Sequence, residues 1–89
     1  MKVDINTFWK MKEAEYVEDF TYVWIKELDG NICTVLEVTI YDDGDSYEIM
    51  EDYYPVDEII ELFEKIDKKE FISVLFNALK WVEKQYNEL

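Results

Sequence analysis

An 89-residue chain is of a size for one domain, 1–89, and this one sets 22 acidic residues against 9 basic ones, a formal charge of −13. It has no histidine and no arginine, so the common general base and the bidentate phosphate binder are both missing and nucleic acid is a poor direct ligand. Cys33 is the single cysteine, which excludes an intramolecular disulfide and a zinc cluster. Small secreted domains usually lean on disulfides; with no apolar run in Met1–Asn6 and no stretch long enough for a membrane span, the expected location is cytoplasmic.

Five Phe, three Trp and seven Tyr supply a rich core. In chain order, Asp4 to Ala14 is expected as a short helix, capped by Asp4 or Asn6, with Ile5, Phe8, Trp9 and Lys12 at helical spacing. Glu15 to Asp19 reads as a connection. Three strands follow. Phe20 to Leu28 is β-branched and aromatic throughout, and Asp29-Gly30 signals a hairpin turn. Along Ile32 to Tyr41, Ile32, Leu36, Val38 and Ile40 alternate with Cys33, Glu37, Thr39 and Tyr41, which predicts one core face and one mostly polar face. Asp43-Gly44 marks a second hairpin. From Ser46 to Tyr54, Tyr47, Ile49 and Tyr53 share one face while Glu48, Met50 and Asp52 share the other. Pro55 ends the sheet and opens a helix whose stripe is Val56, Ile59, Ile60, Phe63 and Ile66. Asp67 then has the position of an N-cap, with Glu70 completing a capping box. The last helix, about Lys68 to Tyr86, carries Phe71, Leu75, Ala78, Leu79, Val82 and Tyr86, widened by Ile72, Phe76 and Trp81, and is expected to be the best-buried element. The predicted fold is α+β, order α-β-β-β-α-α: a three-stranded antiparallel meander with all helices packed on one face.

The charge is unevenly spread. Met1–Lys26 holds five acids and four lysines, and Lys65–Leu89 holds four acids and five lysines, whereas Glu27–Glu64 holds thirteen acids and no basic residue. A surface that is charged only for solubility mixes both signs. The candidate binding residues are therefore the hairpin acids Asp42, Asp43 and Asp45, the strand acids Glu48, Glu51 and Asp52, and the helix acids Asp57, Glu58, Glu61 and Glu64. Tyr53 and Tyr54 are candidate anchors, since tyrosine is common at interface hot spots; Tyr41 and Trp81 are further candidates for exposure.

Other readings of the acids are weaker. Asp42-Asp43-Gly44-Asp45 with Glu48 lacks EF-hand spacing, and a tight hairpin leaves little room for six or seven oxygens. No metal and no cofactor is expected. Paired carboxylates suited to glycoside hydrolysis arise by chance among so many acids, and the chain is short for a substrate cleft. Cys33, with no histidine to activate it, reads as a small packed side chain. The expectation is a protein that is not an enzyme.

The hairpin Tyr41-Asp42-Asp43-Gly44-Asp45-Ser46-Tyr47-Glu48-Ile49, with the chain's size, acidity and predicted element order, resembles the small phage-encoded anti-CRISPR inhibitors of Cas9 that mimic DNA. The likeness covers nine residues. It implies that Asp42, Asp43 and Asp45 occupy a groove on a nuclease that normally receives DNA, in the host cytoplasm. The expected function is thus a protein inhibitor bound to a basic nucleic-acid-binding enzyme. The alternatives are an immunity protein or antitoxin neutralising a basic toxin, and a structural or assembly protein joined through Tyr53, Tyr54 and Trp81.

Overall fold

A computed structural model describes residues 2–13, 19–42 and 44–89. Strands β1 (Phe8–Met11), β2 (Phe20–Asp29), β3 (Ile32–Tyr41) and β4 (Ser46–Pro55) are followed by helix α1 (Val56–Leu62), strand β5 (Phe63–Ile66) and helix α2 (Lys68–Asn87). The strands form one antiparallel sheet in the order β4-β3-β2-β1-β5. The β2–β3–β4 meander lies where the turn signals place it. Gly30 takes a φ of 61° at the first position of the two-residue Gly30–Asn31 turn, a conformation that a Cβ disfavours.

The expected α-β-β-β-α-α order is corrected in three respects. There is no N-terminal helix over the described part of Asp4–Ala14: Thr7 Oγ1 donates to the Asp4 carbonyl at 2.5 Å, Asn6 turns at a φ of 59°, and the chain enters β1. Phe8 packs on one side of the sheet and Trp9 on the other, both buried. Adjacent bulky residues that are both buried suit a strand covered on two faces better than one stripe of a helix. The helix after Pro55 stops at Leu62, and Phe63–Ile66 pairs with β1, Met11 opposite Phe63 and Phe8 opposite Ile66. Finally, the helices lie on opposite faces. Val3, Trp9, Val23, Ile25, Cys33, Val35, Ile59 and Phe63 form the core beneath α1; Phe8, Tyr22, Val38, Phe71 and Ala78 form the one beneath α2.

Two-sided covering also corrects the reading of β3. Its supposedly polar face is buried at Cys33, Val35, Glu37 and Thr39. The polar groups there are satisfied: the Thr21 and Thr39 hydroxyls meet at 3.2 Å, and the Tyr54 hydroxyl donates to the Glu37 carboxylate.

The link from β4 to β5 crosses from one sheet edge to the other. Seven helical residues rise only about 10 Å, while four strand spacings amount to about 19 Å. Ile59 shares a core cluster with Trp9, Val23, Val35 and Phe63, so α1 lies across central and edge strands alike, and the twist usual in such sheets shortens the crossing. At the start of α2 Asp67 acts as the N-cap its sequence predicts, with its Oδ1 accepting the Glu70 N–H at 2.8 Å. Among the described residues no helix is long and apolar enough to cross a membrane.

Candidate partner-binding face

The strongest sequence signal is the acidic stretch, and its carboxylates divide among four places. Asp42 and Asp45 sit exposed at the β3–β4 turn; Asp43 lies outside the described residues. The turn is tied down from two sides. Asp19 Oδ1 accepts the Asp42 N–H at 2.8 Å, and Trp81 Nε1 donates to the Asp45 carbonyl at 3.2 Å while its ring tilts against Tyr47. Asp42 itself holds a φ of 50°, which aspartate tolerates better than most residues. The acidic tip is therefore positioned by the fold, and Trp81, expected to be exposed, is half-buried in doing so.

Along β4 the side chains alternate as its sequence predicts. Glu48, Met50, Asp52 and Tyr54 point to the α1 side, opposite Thr39, Glu37, Val35 and Cys33 of β3. Glu51 and Tyr53 point to the α2 side. Glu51 pairs with Lys26 at 3.8 Å, at the point where the β2–β3 register shifts between Ile25 and Glu27. Asp57, Glu58 and Glu61 follow on α1. The two N-terminal acids, Asp57 and Glu58, favour the helix start through its dipole. Glu64 does not join this row. It lies on β5 at the opposite edge of the sheet, opposite Lys10.

Glu48, Asp52, Asp57 and Glu58 thus form a row that leads from the turn toward the start of α1, along an exposed sheet edge, with Asp42 and Asp45 at its head; Glu61, near the far end of α1, lies beside Lys12, whose Nζ donates to its carbonyl at 3.2 Å. The two tyrosines separate. Tyr53 is 63% exposed beside Glu51. Tyr54 is not a free anchor: its ring packs edge-on against Phe63 at 5.6 Å and its hydroxyl reaches Glu37. Burial, the Glu37 hydrogen bond and the nearby carboxylates of Glu37, Asp52 and Glu58 push its pKa well above that of an ordinary tyrosine. Tyr41 is shifted the same way, by burial first and then by Glu48, whose Oε1 accepts its hydroxyl at 3.2 Å.

Sequence reasoning missed Asp19, Lys26 and Glu37 as part of this surroundings. The first two act through contacts between residues far apart in the chain. Glu37 could have been found from its position midway along a strand flanked by apolar residues on both sides in sequence. Among the described residues no group of three or more carboxylate or thiol side chains is placed to hold a metal ion. Cys33 is fully buried, and burial raises the pKa of its thiol, so it lacks the thiolate character of a nucleophile. The chain matches no protein family, no curated protein and no solved structure.

Proposed function

We propose that the protein is a non-enzymatic inhibitor that binds the basic nucleic-acid site of a partner enzyme, in the manner of the DNA-mimicking anti-CRISPR proteins. The observation that carries this reading is the one-signed row on a fixed support: Asp42 and Asp45 on a braced turn, Glu48 and Asp52 on one face of β4, and Asp57 and Glu58 at the start of α1, with no lysine ion-paired to any of these carboxylates among the described residues. A groove that holds phosphates selects for negative charge at repeated positions more than for phosphate chemistry. Charge of one sign along a row also speeds encounter with a basic partner. Tyr53, on the other face of the same edge strand, supplies an exposed ring that can be desolvated on contact, which charge alone does not provide.

The test is direct binding to a panel of purified guide-RNA-dependent nucleases and other basic nucleic-acid enzymes, with duplex DNA as competitor. The expected result is a complex that DNA displaces and that weakens steeply as salt rises. Replacing Asp42, Asp43 and Asp45 together by Asn should lower affinity by at least tenfold. A complex that forms but is indifferent to DNA would favour an immunity-type contact away from the nucleic-acid site. A triple variant that binds unchanged would remove the turn from the site.

A further inference from the structure

Helix α2 has two apolar faces, and the sheet covers one. Phe71 and Ala78 are buried beneath it, with Val74 and Leu75 packed beside them. The other face is open: Phe76 is 59% exposed, Leu79 48%, Val82 44% and Tyr86 73%. This corrects the expectation that α2 is the best-buried element. The open residues continue a regular pattern that begins at the half-buried margin of the sheet contact. Ile72, Leu75, Leu79, Val82 and Tyr86 follow one another at alternating steps of three and four, the a and d positions of a heptad repeat. Such spacing suits a seam against another helix, and Leu79, Val82 and Tyr86 are left exposed along it.

We propose that this face joins two copies of the chain as a two-fold symmetric dimer, α2 packed antiparallel on α2. A two-fold contact requires a patch complementary to itself, and α2 meets that requirement in one register. Ile72 lies across from Val82 of the second copy, and Leu75 from Leu79. The flanking positions then fall in place: Phe76 meets Phe76 near the axis, and Lys69 faces Glu83 of the second copy. That is charge complementarity with no like-charged pair at the flank. A parallel arrangement lacks it: Glu83 would face Ala78, which turns toward the sheet, and the position that would face Lys69 falls before the helix begins. Antiparallel packing also sets the two helix dipoles head to tail.

Whole-molecule charge selects the same face. Two copies of charge −13 repel wherever the Glu27–Glu64 surfaces meet. The segment Lys65–Leu89, with four acids and five lysines, is free of that penalty. The dimer leaves Glu48, Asp52 and the α1 acids on the other side of the sheet, and Trp81, which holds the acidic turn, is not part of the seam, so this inference stands whether or not the row binds an enzyme.

Sedimentation of the purified full chain from micromolar to millimolar concentration tests it. The expected result is a monomer–dimer equilibrium that tightens with salt, since salt screens the repulsion between copies; binding through the acidic row would weaken with salt instead. Leu79→Glu should weaken the dimer at least tenfold with unchanged circular dichroism, because Leu79 lies outside both cores. Lys69→Glu should weaken it, and Lys69→Glu with Glu83→Lys should restore it. A zero-length carbodiimide cross-link between Lys69 and Glu83 gives a second measure. Fourteen residues of helix hold these side chains about 21 Å apart within one copy, so any such link must join two copies. A monomer at all concentrations, a dimer unaffected by Leu79→Glu, or a dimer without that cross-link would each overturn the proposal.

Discussion

Tyr54 and Glu37 show how a residue chosen for one role can be held by another. The Tyr54 hydroxyl donates to a carboxylate that sits inside the sheet, at a strand position where the sequence suggests an exposed acid. Removing that donor by Tyr54→Phe takes one hydrogen bond from a buried carboxylate, and the expected cost is about 1–3 kcal/mol in urea denaturation. The pair also sets an alkaline limit. The folded-state pKa of Tyr54 lies above its unfolded value of about 10, so the folded state holds the proton more tightly than the unfolded one. The stabilisation is fully present below about pH 10 and declines as the pH rises from there toward the folded pKa. Stability followed by fluorescence against pH should fall along this limb in the native chain. In Tyr54→Phe the limb should be shallower, with a remainder from Tyr41, whose pKa is raised by burial and by Glu48. An unchanged limb would mean that other groups set it.

At the scale of elements, β4 has two demands on its acids. It is a ten-residue edge strand, and long edges invite pairing with other chains. Glu48, Glu51 and Asp52 discourage that pairing by repulsion, and the Asp52 carboxylate occupies the Tyr53 N–H at 2.7 Å. Replacing Glu51 and Asp52 by Thr should therefore produce concentration-dependent light scattering, even in the absence of any partner. If the variant stays clear and merely loses affinity for an enzyme, the acids belong to binding alone. The elements also differ in how far their sequence reveals them. The β2–β3–β4 meander and α2 are legible because turn glycines, alternation and the Asp67–Glu70 box each act within a few residues. β1 and β5 are not. Each is four residues long, and Phe8-Trp9 loses its alternation because both sheet faces are covered. Phe63 and Ile66 continue the apolar spacing of α1, so nothing local marks the point at which helix becomes strand. For the candidate face, the acidic stretch and the two sides of β4 can be read from residue order, whereas Glu64 falls away from the row because β5 lies at the other edge. The sequence stripe on α2 names the right apolar residues but cannot divide them between the sheet and the solvent, since both faces are apolar.

For the molecule as a whole, a charge of −13 on 89 residues opposes compaction. Raising ionic strength from about 0.15 M to about 1 M shortens the screening length from about 8 Å to about 3 Å. The thermal midpoint should therefore rise with sodium chloride. A gain of about 1 kcal/mol corresponds to roughly 4–8 °C in a domain of this size, and a midpoint that falls would show that attractive pairs outweigh the repulsion. The edge-to-edge path of α1 has a further consequence, for the order of assembly. β1 is made first but obtains its second neighbour only when β5 arrives, with most of the chain between them. The hairpins of the meander close small loops, whereas the β1–β5 pairing closes a large one, at an added entropic cost of roughly 1–2 kcal/mol. A ribosome that has released the chain only as far as Pro55 presents two unsheltered edges, β1 and β4, and a Trp9 ring without its Phe63 cover. Synthesis of the next eleven residues lays α1 across that ring and turns one of those edges into the interior of the sheet, so the interval before they emerge is when the chain is most open to mispairing or to a chaperone.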